Sequence, residues 1–274
     1  MKHLFMGLSL LLFLSCSNEK KGQAPQAETN VKSSRQHTIH EPAEPVVADT
    51  TADGITAFHK GDFLLKVLTE AETFHEDEVW PGAEKEDWFG LYKNGDKFYV
   101  ARTRVVTRRV PDIIMDEDES KPSGWEVKTN NKDTSLILFA GLPGFREGKV
   151  DHVPLKEPFI LPGKSIRLML QGKEYVLYAT GKKDPESEEH YGVSDYRLYL
   201  RQGNTIQLLI AQARFEDSMM PVLFAGDIDG DGGLDLIIDT SWHYNMVRPT
   251  LYLSKPAEKG KLLKIAGWHE AVGC

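Results

Sequence analysis

The chain is poor in cysteine and has no excess of positive charge. Of its 274 residues only two are Cys, at positions 16 and 274. That excludes a disulfide framework and a C-x-x-C zinc site. Lys plus Arg total 33 against 41 Asp plus Glu, a net charge of −8. Such a balance excludes the basic footprint that sequence-independent nucleic-acid binding requires. One apolar run is sustained, Leu4 to Leu14, and it is too short to cross a bilayer as a helix. No long stretch repeats at 3.6 residues, which argues against a helical bundle. Several catalytic signatures are also missing. Gly163-Lys164-Ser165 ends like a phosphate-binding loop, but Pro158 and Phe159 stand where its opening glycine is needed. His75-Glu76 and His269-Glu270 start like a zinc-protease helix, but Val79 and Gly273 occupy the second histidine position. No G-x-S-x-G elbow occurs. No catalytic residue can be named, and the balance leans away from an enzyme.

What is present begins with an address. Met1-Lys2-His3 is a short basic start, Leu4–Leu14 has the length of a secretory core, and Phe13-Leu14-Ser15-Cys16 follows. This resembles a bacterial lipobox, with Ser15 as the small residue before cleavage. The resemblance implies a signal peptide over residues 1–15, a lipid-modified Cys16, and anchoring at the envelope of a Gram-negative bacterium, in its outer membrane. Several acyl chains on one residue hold a protein durably where a single chain does not. Loss of residues 1–15 removes one Lys and no acid, so the mature charge becomes 32 − 41 = −9.

Residues 16–51 are polar and nearly free of aromatics. They bury too little apolar surface to offset chain entropy, so they read as a flexible tether. His37 and His40 lie inside it and read as solvated.

Residues 52–274 carry the punctuation of hairpins. Trp88–Tyr92 faces Lys97–Ala101 across Asn94-Gly95, the strongest short hairpin signal. Ile166–Leu170 faces Tyr175–Tyr178 across Gln171-Gly172-Lys173, and Tyr196–Leu200 faces Ile206–Ile210 across Gly203-Asn204. Val222–Ala225 faces Leu234–Ile238 across a longer loop. The expected fold class is all-β: antiparallel hairpins or a meander, forming a β-sandwich or a partial propeller-like body. A short helix is expected near Phe58–Ala71. Leu138-Phe139-Ala140-Gly141 echoes Leu223-Phe224-Ala225-Gly226, which suggests two equivalent hairpins.

One segment carries ion chemistry. Residues 227–235 place acids at Asp227, Asp229, Asp231 and Asp235 between two apolar strands. Carboxylates two apart on a curled loop converge on one point and would repel without a cation. Hard oxygen donors in this number suit calcium better than magnesium, which demands stricter octahedral geometry. An EF-hand would carry Glu at its twelfth position, where Ile238 stands here, and would sit between helices. The segment resembles the calcium hairpin loop of integrin-type FG-GAP and VCBS repeats. That resemblance implies side-chain ligands from Asp227, Asp229, Asp231 and Asp235, a carbonyl ligand from Gly233, and a calcium ion that stabilises one hairpin. It covers about residues 221–253 and a single loop.

Two side-chain groups invite a ligand. Arg102, Arg104 and Arg108 alternate as on one strand face, which suits an anion or a solvated edge. Trp242, His243 and Tyr244 follow the acidic hairpin, and such a trio could hold a sugar or simply pack. The reading that results is a membrane-anchored, non-catalytic binding or envelope protein with one structural calcium loop. Its rivals are a surface glycan-binding lipoprotein and an extracytoplasmic hydrolase with unidentified carboxylates. The partners implied are the membrane, through Cys16, and a glycan or an envelope protein.

Overall fold

The computed structural model describes residues 63–273, except 119, 142 and 188–191, and side chains are described for all of these but Glu72. The expected signal peptide (1–15), Cys16, the expected tether (16–51) and Cys274 lie outside the described residues. The strands, in chain order, are β1 (Lys66–Leu68), β2 (Ala71–Phe74), β3 (Trp88–Asn94), β4 (Lys97–Thr103), β5 (Val105–Val110), β6 (Gly124–Thr129), β7 (Ser135–Ala140), β8 (Gly148–His152) and β9 (Ser165–Leu170). They continue as β10 (Lys173–Lys183), β11 (Val193–Gln202), β12 (Thr205–Arg214), β13 (Val222–Asp227), β14 (Asp235–Asp239), β15 (Met246–Val247), β16 (Pro249–Leu253), β17 (Lys264–Trp268) and β18 (Ala271–Val272). The fold is all-β, as the hairpin spacing implies.

Nine strands form one antiparallel sheet in the order β1-β7-β3-β4-β8-β13-β14-β16-β17. Its two ends meet. The amide of Leu65 donates to the carbonyl of Ala266 at 2.9 Å, so the sheet is a near-closed barrel. Alternation decides what fills it. Val67, Leu91, Val100, Ile137 and Phe139 join Val150, Phe224, Ile237, Leu251 and Ala266 in one core to which all nine strands contribute. Their immediate neighbours point the other way, because strand side chains alternate. Ala225, Leu236, Ile238, Tyr252 and Ile265 leave the barrel and pack on a second sheet, ordered β12-β11-β10-β9. Leu68, Leu138 and Ala140 leave it elsewhere and pack on a third, ordered β2-β6-β5, through Phe74, Val105 and Val127. The barrel is therefore solid, and it is buried on both faces where the two smaller sheets cover it.

Turn chemistry sets the hairpin registers. Asn94 pairs with Lys97, so the two-residue turn is Gly95-Asp96, one place later than the Asn-Gly signal suggests. Gly95 has φ 59 and Asp96 does not have positive φ, the pattern of a type II′ turn with glycine first. Leu170 pairs with Lys173 across Gln171-Gly172, both with positive φ, the pattern of type I′. Gln202 pairs with Thr205 across Gly203-Asn204 as expected.

Three expectations need correction. Described residues 63–71 hold β1 and the start of β2 and contain no helix. Val67 and Leu68 face different cores, and the pairing partner β7 lies far along the chain, so non-local contacts override the local pattern. The two Leu-Phe-Ala-Gly segments both send a Phe into the barrel, but they are not equivalent hairpins. The first, in β7, pairs with β1 and β3, whereas the second, in β13, pairs with β14 and β8. The three arginines do not share a strand. Arg102 ends in β4 over the Phe89 ring, Arg104 lies where the chain changes sheet, and Arg108 sits in β5 bonded to Glu126.

Candidate metal centre

The acidic loop leaves β13 and returns as β14, and both strands are fixed on each side. Gly226 pairs with Asp235 across the hairpin and with His152 of β8 behind it, and Leu236 pairs with Tyr252 of β16. A loop hung between paired strands of a solid barrel is held at both ends. Its polar atoms are then placed by the barrel rather than by solvent.

Three of the four acids converge. Asp227, Asp229 and Asp235 each offer a carboxylate oxygen within 4.8 Å of the others, and each is over nine-tenths buried. Backbone amides organise them. Asp227 Oδ1 accepts from the amide of Asp231 at 3.0 Å, and its Oδ2 accepts from Gly232 at 2.9 Å. Asp235 Oδ2 accepts from Ile228 at 2.7 Å, and its Oδ1 accepts from Ser254 at 2.8 Å. Asp229 Oδ1 accepts from Asp231 at 3.2 Å, but its Oδ2 is buried with no donor. Buried acceptors are almost always satisfied, so this oxygen marks a missing partner.

The electrostatics agree. Burial, then the neighbouring Asp231 charge, pushes the Asp229 carboxyl up to about 6. Burial and the Asp229 charge raise Asp235 well above the usual carboxylate range. Carboxylates packed together in a dry site resist ionising unless a cation is supplied. The donor set is therefore hard, oxygen-only and short of positive charge, which fits a divalent cation.

The fourth acid stands apart. Asp231 Oδ1 accepts from the amide of Gly233 at 2.6 Å and from the Ser254 hydroxyl at 3.0 Å, so it serves the loop rather than the convergent trio. Gly233 sits where a Cβ would lie 2.1 Å from Ser254 Oγ, and only glycine fits there.

Two participants come from the second sheet and carry no acidic signature. Gln171 Nε2 donates to Asp227 Oδ2 at 3.1 Å, and Lys173 Nζ donates to the Gly232 carbonyl at 2.7 Å. A glutamine in a type I′ turn, where Asn, Asp or Gly is usual, was the only hint available in the sequence.

Trp242, His243 and Tyr244 are not beside this loop. They follow the far end of β14, five residues or about 17 Å of strand away. Trp242 packs its ring against the core shared with the second sheet. His243 lies 3.5 Å from Glu216, and its ring stacks on Tyr244. Tyr244 is 69% exposed and lines a cleft of about 480 Å³ with Leu223, Asn245, Val247 and Val272. Two carboxylates line that cleft among the described residues, and both are engaged. Glu70 accepts from the amides of Thr129 and Ser135, and Asp239 accepts from those of Ser241 and Arg248.

No family model matches the chain, and no curated protein and no solved structure matches it.

Proposed function

We propose that this chain is a lipid-anchored, non-catalytic protein of the bacterial cell envelope whose acidic loop holds one structural calcium ion. The observation that carries the ion is the buried, unpartnered Asp229 Oδ2 within a convergent carboxylate trio. Calcium is favoured over magnesium because its flexible shell of six to eight oxygens suits a loop of carboxylates and carbonyls. Asp227, Asp229 and Asp235 would hold the ion, joined by Asp231 and the Gly233 carbonyl if the FG-GAP and VCBS likeness extends to the ligand set. The ion would neutralise the trio and stiffen the β13–β14 hairpin. The envelope address rests on the lipobox-like ending at Cys16.

Thermal melting tests the ion. Calcium should raise the midpoint of the wild-type chain and a chelator should lower it, while Asp229→Asn should melt at one temperature in both. Equal wild-type midpoints would end the calcium reading. Labelling with a radioactive fatty acid tests the anchor. Cys16→Ala should abolish the label and release the protein from membranes, and a labelled variant would count against it.

The exposed Tyr244 supports a second reading, in which the cleft takes a glycan. An aromatic face of this kind stacks on sugar rings. Oligosaccharide should then quench or shift tyrosine fluorescence in the wild type and not in Tyr244→Ala.

A further inference from the structure

We propose that Gln171 belongs to the metal centre and that the cation fastens the four-stranded sheet to the barrel. The inference rests on the acidic loop holding a cation.

Gln171 and Gly172 have φ 47 and 79. Glycine adopts this region freely, but a residue with a Cβ is strained there. Gln171 does so with its carboxamide inside the acidic loop. Its nitrogen donates to Asp227, as described above, and its Oε1 lies 2.8 Å from the place a Cβ on Gly232 would take. Gly232, at φ 78, thus leaves the space that the carboxamide fills. Lys173, just past the same turn, grips the Gly232 carbonyl. One hairpin of a separate sheet therefore touches the loop at two points.

A second observation points to the ion itself. Asp229, over nine-tenths buried and a member of the convergent trio whose Asp227 Gln171 holds, carries an oxygen with no donor. A carboxamide is suited to such a place. Its nitrogen can hold a carboxylate while its oxygen serves a hard cation. It is neutral, so it adds a donor without adding repulsion among the three acids. Binding that favours the docked turn must in return be favoured by it, so ion occupancy and sheet docking are linked.

The test uses the full-length chain in detergent, with calcium itself as the probe. Binding is followed by calorimetry and the turn by amide hydrogen exchange. Gln171→Gly removes the carboxamide and also relieves the left-handed backbone, so the hairpin keeps its turn. This variant should bind calcium about tenfold more weakly, while its chelated form melts no lower than wild type. Gln171→Glu should bind calcium several-fold more tightly and melt lower when chelated, because it adds a further negative charge to the four acids of the loop. In the wild type, calcium should slow exchange at residues 171–173 as well as at 227–235. Full wild-type affinity in Gln171→Gly would overturn the inference alone, as would protection confined to 227–235. A wild-type chain that shows no calcium response would overturn it together with the calcium reading.

Discussion

Two loops of this protein are rich in aspartate, and they solve the same problem in opposite ways. In the loop from Asp112 to Ser123, each of the three aspartates has its own donors. Asp112 is buried against His75 and accepts from the amides of Ile114 and Met115. Asp116 accepts from the amides of Asp112 and Ser123, and Asp118 accepts from Ser120. The His75 hydrogen bond and the two amides hold Asp112 below the usual carboxylate range even though burial opposes them. In the loop from Asp227 to Asp235 the donors run out before the oxygens do, and the carboxyls of Asp229 and Asp235 are driven up. Local charge density is therefore not the signal of a metal site. What separates the loops is convergence of buried oxygens with one left over.

The sharpest way to break this comparison is to remove the most deeply buried acid of each loop. Asp235→Ala strips the acceptor from the amides of Ile228 and Ser254 and one convergent ligand with it. It should cost about 3 kcal/mol or more and erase the response of the melting midpoint to calcium. Asp112→Ala should cost about 2 kcal/mol from the orphaned amides and the lost His75 bond, but it should leave the calcium response intact. Equal loss of calcium response in both variants would abolish the distinction.

A smaller effect separates the loops by pH. A carboxyl raised in the fold binds its proton more tightly there than in the unfolded chain. The chelated protein should therefore lose stability as pH climbs from about 4 through about 6, where Asp229 ionises. Asp229→Asn should flatten that slope. The other loop behaves inversely. Asp112 is depressed, so its contribution disappears only as pH falls below the carboxylate range. His75 is raised above 6.5 by the Asp112 hydrogen bond, so its contribution fades as pH rises through that elevated value. Midpoints of His75→Gln and wild type should therefore approach each other toward alkaline pH. The smallest effect is expected at Asp118, an exposed cap whose replacement by Ala should leave both midpoint and calcium response unchanged.

The hairpins and the acidic cluster were legible in the sequence because both depend on neighbours in the chain. Gly203-Asn204 closes the turn expected of it, and Gly95 misplaces its turn by a single residue. The barrel was not legible. Its long-range pairs join β1 to β7, β4 to β8 and β8 to β13, and no local pattern encodes which distant strands meet. The same holds at the site. Asp227, Asp229 and Asp235 announce themselves by spacing. Gln171 and Lys173 reach the loop because the second sheet packs on the barrel, and Ser254 because β16 pairs with β14.

The bond from Leu65 to Ala266 has a temporal meaning. It joins the opening and closing staves of the cylinder, which lie at opposite ends of the body in chain order. A polypeptide emerging head first from a tunnel or pore exposes the β1 edge long before its mate arrives. Closure must wait until Ala266 is out, and such distant pairings form slowly. Until then the bare rim is open to wrong partners.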